Sequence, residues 1–112
     1  MDFEWDEDKN QSNIQKHGID FADAKQLFDQ PTIEFNSDRK NEERVAAYGY
    51  LRGLPIVVVY KECGENVFRL ISARLATREE ETELLLRLGI EGRSQRKGQK
   101  PKQRRSKDRE NE

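Results

Sequence analysis

The sequence offers almost no means of covalent cross-linking, because its 112 residues include a single cysteine, Cys63. One cysteine excludes an intramolecular disulfide and gives no support for secretion. Residues 1–6 lack the basic start and the apolar run of a signal peptide. No apolar stretch approaches the roughly 18–20 residues needed to cross a bilayer. These absences predict a soluble cytoplasmic protein with no membrane partner.

Large apolar residues are missing from the end of the chain. Residues 92–112 contain no Val, Ile, Leu, Phe, Tyr or Trp. A segment with nothing to bury cannot offset the entropy lost on ordering, so we predict a disordered tail. The whole chain is only 33% hydrophobic against 38% charged, so the core must be concentrated in the remaining part. The predicted organisation is one folded domain at 1–91 and a tail at 92–112.

The net charge of −1 conceals two segments of opposite sign. Residues 1–91 carry 12 Lys and Arg against 19 Asp and Glu, whereas residues 92–112 carry 9 against 3. An acidic body with a basic tail suggests a contact with nucleic acid, or a tail that folds back on its own domain. A tail that only improves solubility fits the same composition.

Two helices are predicted near the N-terminus. The first covers Glu7–His17, with Asp6 as N-cap and Gly18 as C-terminal stop. Its one clearly apolar interior residue is Ile14, so this helix is either weakly packed or presents a working face. The second covers 21–29, because a core-facing stripe of apolar residues precedes Pro31. That stripe consists of Phe21, Ala24, Leu27 and Phe28.

Strands are predicted at 32–35, 44–51, 56–61 and 66–73, and residues 3–5 form a short apolar lead-in that is a weaker strand candidate. Short connections with turn residues favour an antiparallel meander. Thr77 and Glu80 form a capping box that opens a last helix, which we predict to end at Gly89 after Leu88. The predicted fold class is α+β: a small antiparallel sheet of about four strands, two N-terminal helices and one C-terminal helix.

The polar face of the first helix is the first candidate for chemistry. At 100° per residue, Lys9, Asn13 and Lys16 fall within about 60° of one another, and His17 lies at the edge of that face. Two cations, an amide and an imidazole can bind phosphate and transfer a proton. An ordinary solvated helix face with a histidine at its C-terminus is the competing interpretation.

Strand arginines form the second candidate set. Arg44 begins one predicted strand, and Arg69 and Arg74 belong to another. In a regular strand Arg69 and Arg74 point to opposite faces, so they converge only if the strand ends or bulges before Arg74. Each arginine can instead form a surface ion pair of little energetic value. Trp5 can stack on an RNA base, although a packing role beside Phe3 is the simpler interpretation and the one that we favour.

Two sequence elements resemble BrnT-family toxins when taken together. The opening around Lys9 and Asn13, followed by Lys16-His17-Gly18-Ile19, is similar to the start of that family. The run from Arg69 to Arg74, with Arg44 before it and Ala76-Thr77 after it, matches further on. The resemblance covers about residues 2–88. Leu75 stands where a basic residue is common in the family, which removes one phosphate contact.

The resemblance implies a RelE-like fold and a metal-independent ribonuclease that inhibits translation and needs no cofactor. It implies neutralisation by a BrnA-type ribbon-helix-helix antitoxin, which binds operator DNA on behalf of the complex. The site residues that it suggests fall in two groups. The catalytic group is His17, Lys9, Arg44, Arg74 and Arg69, and the RNA-binding group is Lys16, Asn13 and Trp5.

Two other functions are compatible with the sequence. One is a non-catalytic interaction module that only pairs with a DNA-binding partner, since an acidic body can bind a basic protein. The other is a degenerate toxin that retains its antitoxin but has lost its activity.

Overall fold

A computed structural model describes residues 1–96, with side chains described through Gly89. The elements, in chain order, are β1 (Asp2–Glu4), α1 (Glu7–His17), α2 (Phe21–Ala24), a 3-10 helix (Lys25–Asp29), β2 (Ile33–Asn36), β3 (Val45–Leu51), β4 (Leu54–Glu62), β5 (Val67–Leu75) and α3 (Arg78–Arg96). The predicted α+β class is confirmed. Within the described residues, no helix is long and apolar enough to span a membrane.

Local signals set the limits of α1 where the sequence predicts them. The Asp6 carboxylate accepts a hydrogen bond from the Asp8 amide, and Gly18 adopts the left-handed conformation at φ 75°. The Gly18 amide donates to the Ile14 carbonyl at 2.7 Å, which closes the last turn. Acidic residues occupy the first turn and basic residues the last, in the sense that the helix dipole favours.

The predicted second helix has the expected extent but a tighter winding. One α-helical turn is followed by a 3-10 helix that ends at Asp29. Phe21 and Ala24 of α2 and Leu27 of the 3-10 helix are all fully buried, and residues three apart lie on the same side of either kind of helix. Their spacing therefore places all three along one line facing the sheet.

The sheet has five strands in the order β1-β5-β4-β3-β2, so the predicted count of about four is wrong. It is also mixed rather than antiparallel, because β1 runs parallel to β5. Three residues are too few to show a strand period, and what places β1 is tertiary packing. Phe3 pairs with Phe68 across the strands, and both rings pack against Phe28.

The antiparallel meander of β3, β4 and β5 is confirmed. Arg52 and Gly53 form the two-residue β3–β4 turn, with φ of 54° and 82°, as tight hairpin turns require.

One face of the sheet, which we call the inner face, carries Ala47, Val58 and Leu70. It is covered by α2 and the 3-10 helix, and Leu27 of the 3-10 helix lies against Gly49.

The opposite side of the sheet, which we call the outer face, is partly covered by α3. The Tyr50 hydroxyl donates to Glu81 of this helix at 2.9 Å, and the Arg87 guanidinium lies over the Phe35 ring at 5.0 Å. Leu84 is fully buried there. These contacts place α3 over β2 and β3, so helices lie on both faces of the sheet.

The last helix begins at the predicted capping box but does not end at the predicted residue. The Thr77 hydroxyl accepts from the Glu80 amide, and the Glu80 carboxylate accepts from the Thr77 amide. Gly89 is an interior residue of α3 and has no positive φ, so its prediction as a helix stop is wrong. The predicted disordered tail at 92–112 overlaps α3 at 92–96, where the backbone is helical. Residues 97–112 lie outside the described residues.

Candidate active site

Asn13 joins α1 to the edge of the sheet. Its side-chain amide donates to the Ala73 carbonyl at 2.9 Å, and its amide oxygen accepts from the Ala73 N–H at 3.1 Å. A second bond runs from the same amide to the Ile19 carbonyl at 3.0 Å. Asn13 is only 6% exposed, so these bonds satisfy groups that water does not reach. The structure therefore gives Asn13 a docking role on β5.

Asn10 fixes the turn that follows α1. Its amide oxygen accepts from the Phe21 N–H at 2.8 Å, and its amide nitrogen donates to the Asp20 carboxylate at 3.1 Å. Asn10 is 3% exposed, so α1 contacts the rest of the fold through buried amides as well as through half-buried Ile14. This packing explains how a helix with so few apolar residues is held in place, leaving its last turn exposed.

The last turn of α1 and the end of β5 enclose an open cleft of about 490 Å³. Its lining residues are Lys16, His17, Arg74, Leu75 and Thr77. Three of the residues proposed from the sequence, Lys16, His17 and Arg74, therefore meet at one place. Two cations beside an exposed imidazole form a site with the charge to bind a phosphodiester and a group able to move a proton.

Arg74 is held in this cleft by Glu80. The Arg74 Nη1 and Nη2 atoms donate to the two Glu80 oxygens at 2.7 and 2.9 Å, which is a bidentate pair. Nη1 also donates to the Leu75 carbonyl at 3.3 Å. The other two N–H donors, on Nε and Nη2, have no acceptor among the described residues, and this edge can bind two oxygens of one phosphate.

The Arg74 pair determines the ionisation of Glu80. Hydrogen bonding from Arg74, reinforced by the Thr77 amide, lowers the pKa of Glu80 to about 2 against the opposing effect of burial. The same contact raises the pKa of Arg74. Glu80 is thus a carboxylate at any physiological pH, and it serves the helix cap and the arginine at once.

A bulge in β5 resolves the conflict between Arg69 and Arg74. Val59 pairs with Ser72 but the next residue of β4, Tyr60, pairs with Leu70, so Ile71 is an extra residue. Arg74 is opposite Val57 and Arg69 is opposite Lys61, which are four residues apart in β4. Both arginines therefore lie on the outer face.

Arg44 and Arg69 lie at the opposite end of the sheet from the cleft. Arg44 bonds to Glu42, and Arg69 bonds to Glu4 at 3.0 Å. Lys9 is exposed on α1, seven residues before Lys16 and so about 10 Å from it along the helix axis. None of the three lines the cleft. The structure thus brings together only part of the set proposed from the sequence.

The Trp5 side chain packs against neighbouring residues of the fold. Its ring meets Phe21 edge to face, with centroids 6.0 Å apart, and its Nε1 donates to Glu7 at 3.2 Å. The side chain is half-buried. These contacts are those of a packing residue, which was the simpler of the two interpretations of the sequence.

Two residues near the functional side chains were not assigned to the site from the sequence. The sequence identifies Glu80 only as part of a helix cap, although its separation of six residues from Arg74 across the strand end is a usable signal. The sequence predicts Lys61 only as the last residue of a strand, and its contact with Glu42 at 3.0 Å depends on the long loop before β3. Among the described residues, no group of three or more His, Cys, Asp or Glu side chains is placed to hold a metal ion.

Comparison with known proteins identifies the family. A family model described as "Ribonuclease toxin, BrnT, of type II toxin-antitoxin system" matches residues 5–80. The chain belongs to the BrnT family. It is 36% identical to the Brucella abortus ribonuclease toxin BrnT, whose crystal structure aligns with a TM-score of 0.56 over 70% of this chain and 99% of that one. No curated protein matches the chain.

The family match includes the cleft. Residues 5–80 contain Lys16, His17, Arg74 and Glu80, whereas α3 beyond its first turn lies outside the match. The resemblance to BrnT toxins seen in the sequence is therefore confirmed, and the chain is a member of a ribonuclease toxin family of type II toxin–antitoxin systems.

Proposed function

We propose that this chain is an active endoribonuclease toxin whose chemistry takes place in the cleft of Lys16, His17 and Arg74. The observation that carries the proposal is the meeting of the chain's one histidine with two cations in an open cleft inside the region matched by the BrnT family. The BrnT neighbour from Brucella abortus is itself described as a ribonuclease toxin, which supports the same activity here.

The proposed reaction needs no metal ion. The ribose 2′-oxygen attacks the adjacent phosphorus, the bond from phosphorus to the 5′-oxygen breaks, and a 2′,3′-cyclic phosphate and a 5′-hydroxyl result. Negative charge grows on the phosphoryl oxygens as the attack proceeds. Arg74 stabilises this charge through its Nε and Nη2 edge, and Lys16 adds a second positive charge. His17 moves a proton at the 2′-oxygen or at the 5′-oxygen.

We propose supporting roles for the remaining candidates, and their contacts support these roles. Asn13 positions α1, because its amide is buried and hydrogen-bonded to Ala73 and Ile19. Trp5 packs against Phe21 rather than stacking on a base. Lys9 lies two turns from the cleft and contacts RNA that extends past it. Glu80 positions Arg74.

The proposed cellular role follows from family membership. Cleavage of RNA inhibits translation in the cytoplasm, and a BrnA-type ribbon-helix-helix antitoxin neutralises the toxin and carries the complex to operator DNA. A RelE-like fold belongs to the same proposal. If this proposal is right, a neighbouring gene encodes a ribbon-helix-helix protein, and its co-expression should restore the growth that the toxin alone arrests.

The decisive experiment compares His17→Gln with the control Gln15→Ala, which changes an exposed neighbour in the same helix. Each purified protein is incubated with end-labelled RNA in the presence of EDTA. We expect the wild type and Gln15→Ala to cleave, and His17→Gln to cleave at least about 100-fold more slowly. Cleavage by His17→Gln at the wild-type rate contradicts the site, and a wild type that cleaves no RNA indicates an interaction module or a degenerate toxin.

A further inference from the structure

We propose that Arg44, Lys61 and Arg69 form a second phosphate-binding site, which holds the RNA strand on the outer face beyond the cleavage cleft. The proposal rests on the ribonuclease function proposed above. It gives a binding role to Lys61, which the sequence does not predict as a site residue, and it assigns Arg44 and Arg69 to substrate binding rather than to catalysis. We call these three residues the cationic row.

The cationic row runs from β5 across β4 to Arg44, the residue before β3. One carboxylate oxygen of Glu42 contacts Arg44 Nη2 at 2.6 Å, and the other contacts Lys61 Nζ at 3.0 Å. A single carboxyl group therefore joins the two cations. Lys61 is in turn directly opposite Arg69 in the pairing of β4 with β5. Cross-strand partners have Cβ atoms about 5 Å apart, so Arg69 completes the row.

The row concentrates positive charge where sheet formation alone disfavours it. Like charges directly opposite each other on neighbouring strands are destabilising, and Lys61 faces Arg69 in that way. Glu42 and Glu4 pair with the three cations, which leaves one positive charge in excess in a body that carries an excess of seven acidic side chains. An anionic ligand gives a physical reason for keeping them together.

The β5 bulge places the row and Arg74 on one face. Without Ile71 as an extra residue, Arg69 would point to the inner face, away from Arg74. Four residue steps along β4 separate the two arginine positions, which is about 13 Å. The segment between them carries Val59 and Ser72, which are half-buried and so partly accessible, and the contacts described for α3 are with β2 and β3. We infer that an RNA strand passes from the cleft to the row over these two residues.

The carboxylates at the row are exchangeable counter-ions. Glu42 and Glu4 are 33% and 46% exposed in their side chains, and ion pairs at such positions are worth little in water. Hydrogen bonds from Lys61 and Arg44 lower the pKa of Glu42. RNA phosphates can replace these carboxylates as partners of the three cations. Glu80 differs, because its hydrogen bond from the Thr77 amide holds it in the helix cap, where it keeps its ion pair with Arg74.

The test measures binding of RNA that cannot be cleaved, because 2′-O-methyl riboses remove the attacking hydroxyl. We expect Lys61→Gln to weaken binding of an oligonucleotide of about twelve residues by about fivefold or more. The slope of log affinity against log salt concentration is negative, and its magnitude should decrease by about 0.7 because one contact with a phosphate is lost. Turnover of an unmodified dinucleotide, too short to reach the row, should be unchanged. Lys25→Gln, an exposed lysine on the 3-10 helix at the inner face, is the charge-matched control.

A second variant distinguishes binding from a merely structural ion pair. Glu42→Gln removes the counter-ion of Arg44 and Lys61, so we expect it to strengthen binding of the long oligonucleotide severalfold. If the ion pair of Glu42 with Lys61 is only structural, Lys61→Gln and Glu42→Gln should both lower the stability of the protein and leave its affinity for RNA unchanged.

Equal affinity of Lys61→Gln and Lys25→Gln for the long RNA overturns the proposal, as does a Lys61→Gln variant that loses only antitoxin binding. The proposed ribonuclease function is tested separately, because the binding assay requires no turnover. If that function is wrong, the wild-type protein does not cleave RNA.

Discussion

The side-chain amide of Asn13 hydrogen-bonds both backbone groups of Ala73, 60 residues further along the chain. β1 pairs with β5 only at residues 67–69, so its backbone does not reach Ala73. The asparagine amide has the same donor and acceptor as a peptide group, and it occupies the place of a neighbouring strand at this position. His17 follows one turn later on the same helix, so this contact also sets the position of the imidazole.

We expect Asn13→Ala to lower the free energy of unfolding by about 2–4 kcal/mol. The substitution leaves the N–H and C=O of Ala73 buried without partners, and each such group costs about 1–3 kcal/mol. Urea unfolding followed by circular dichroism measures the difference. Ser12→Ala changes the exposed neighbour and should stay within about 0.5 kcal/mol of the wild type. Similar stabilities for the two variants would refute the docking role.

The stability contributed by Glu80 should depend on pH. Its pKa is lowered from 4.5 to about 2, so its contribution is complete above about pH 4.5 and is lost as the pH falls through about 2. At pH 7 we expect Glu80→Gln to cost about 1–2 kcal/mol after allowance for solvent screening at Arg74. The gap to the wild type should narrow between about pH 4.5 and pH 2 in urea titrations. A gap that is constant with pH would show that the ion pair contributes nothing.

Leu75 is an apolar residue in a cleft that favours anions. It is 54% exposed and lines the cleft beside Lys16 and Arg74. We expect Leu75→Lys to tighten binding of uncleavable RNA and to increase the salt slope by about 0.7, since one more phosphate is neutralised. Leu86→Lys on α3 changes a residue of similar exposure, 59%, and serves as the control for added charge. Equal gains for both variants would assign the effect to net charge alone.

The sequence was sufficient where local chemistry decides the structure. Asp6 and Gly18 limit α1 through bonds within a few residues, and Thr77 and Glu80 open α3 in the same way. The family resemblance names Lys16, His17 and Arg74 among eight candidates, because a polar helix face by itself is ordinary. It does not separate these three from the rest, and their meeting in one cleft is seen only in the structure.

The sequence was insufficient where distant residues decide the structure. Buried asparagines look like surface residues until their backbone partners are known, so the docking of α1 through Asn10 and Asn13 could not be predicted. The bulge at Ile71 depends on the pairing of β4 with β5, and the strand pattern alone placed Arg69 and Arg74 on opposite faces. β1 forms because Phe3 packs against Phe68, which is more than 60 residues away in the sequence.

Gly89 shows the limit of a local signal, because a glycine after a leucine run also fits inside a helix. Its φ is not positive, and a Cβ added there meets nothing within 4 Å. We therefore expect Gly89→Ala to raise the free energy of unfolding by about 0.5–1 kcal/mol, since alanine loses less backbone entropy in a helix. Gly53 has equally open surroundings but a φ of 82°, so Gly53→Ala should lower stability. Thermal unfolding of both variants tests the contrast, and a destabilised Gly89→Ala would restore the helix stop that the sequence suggested.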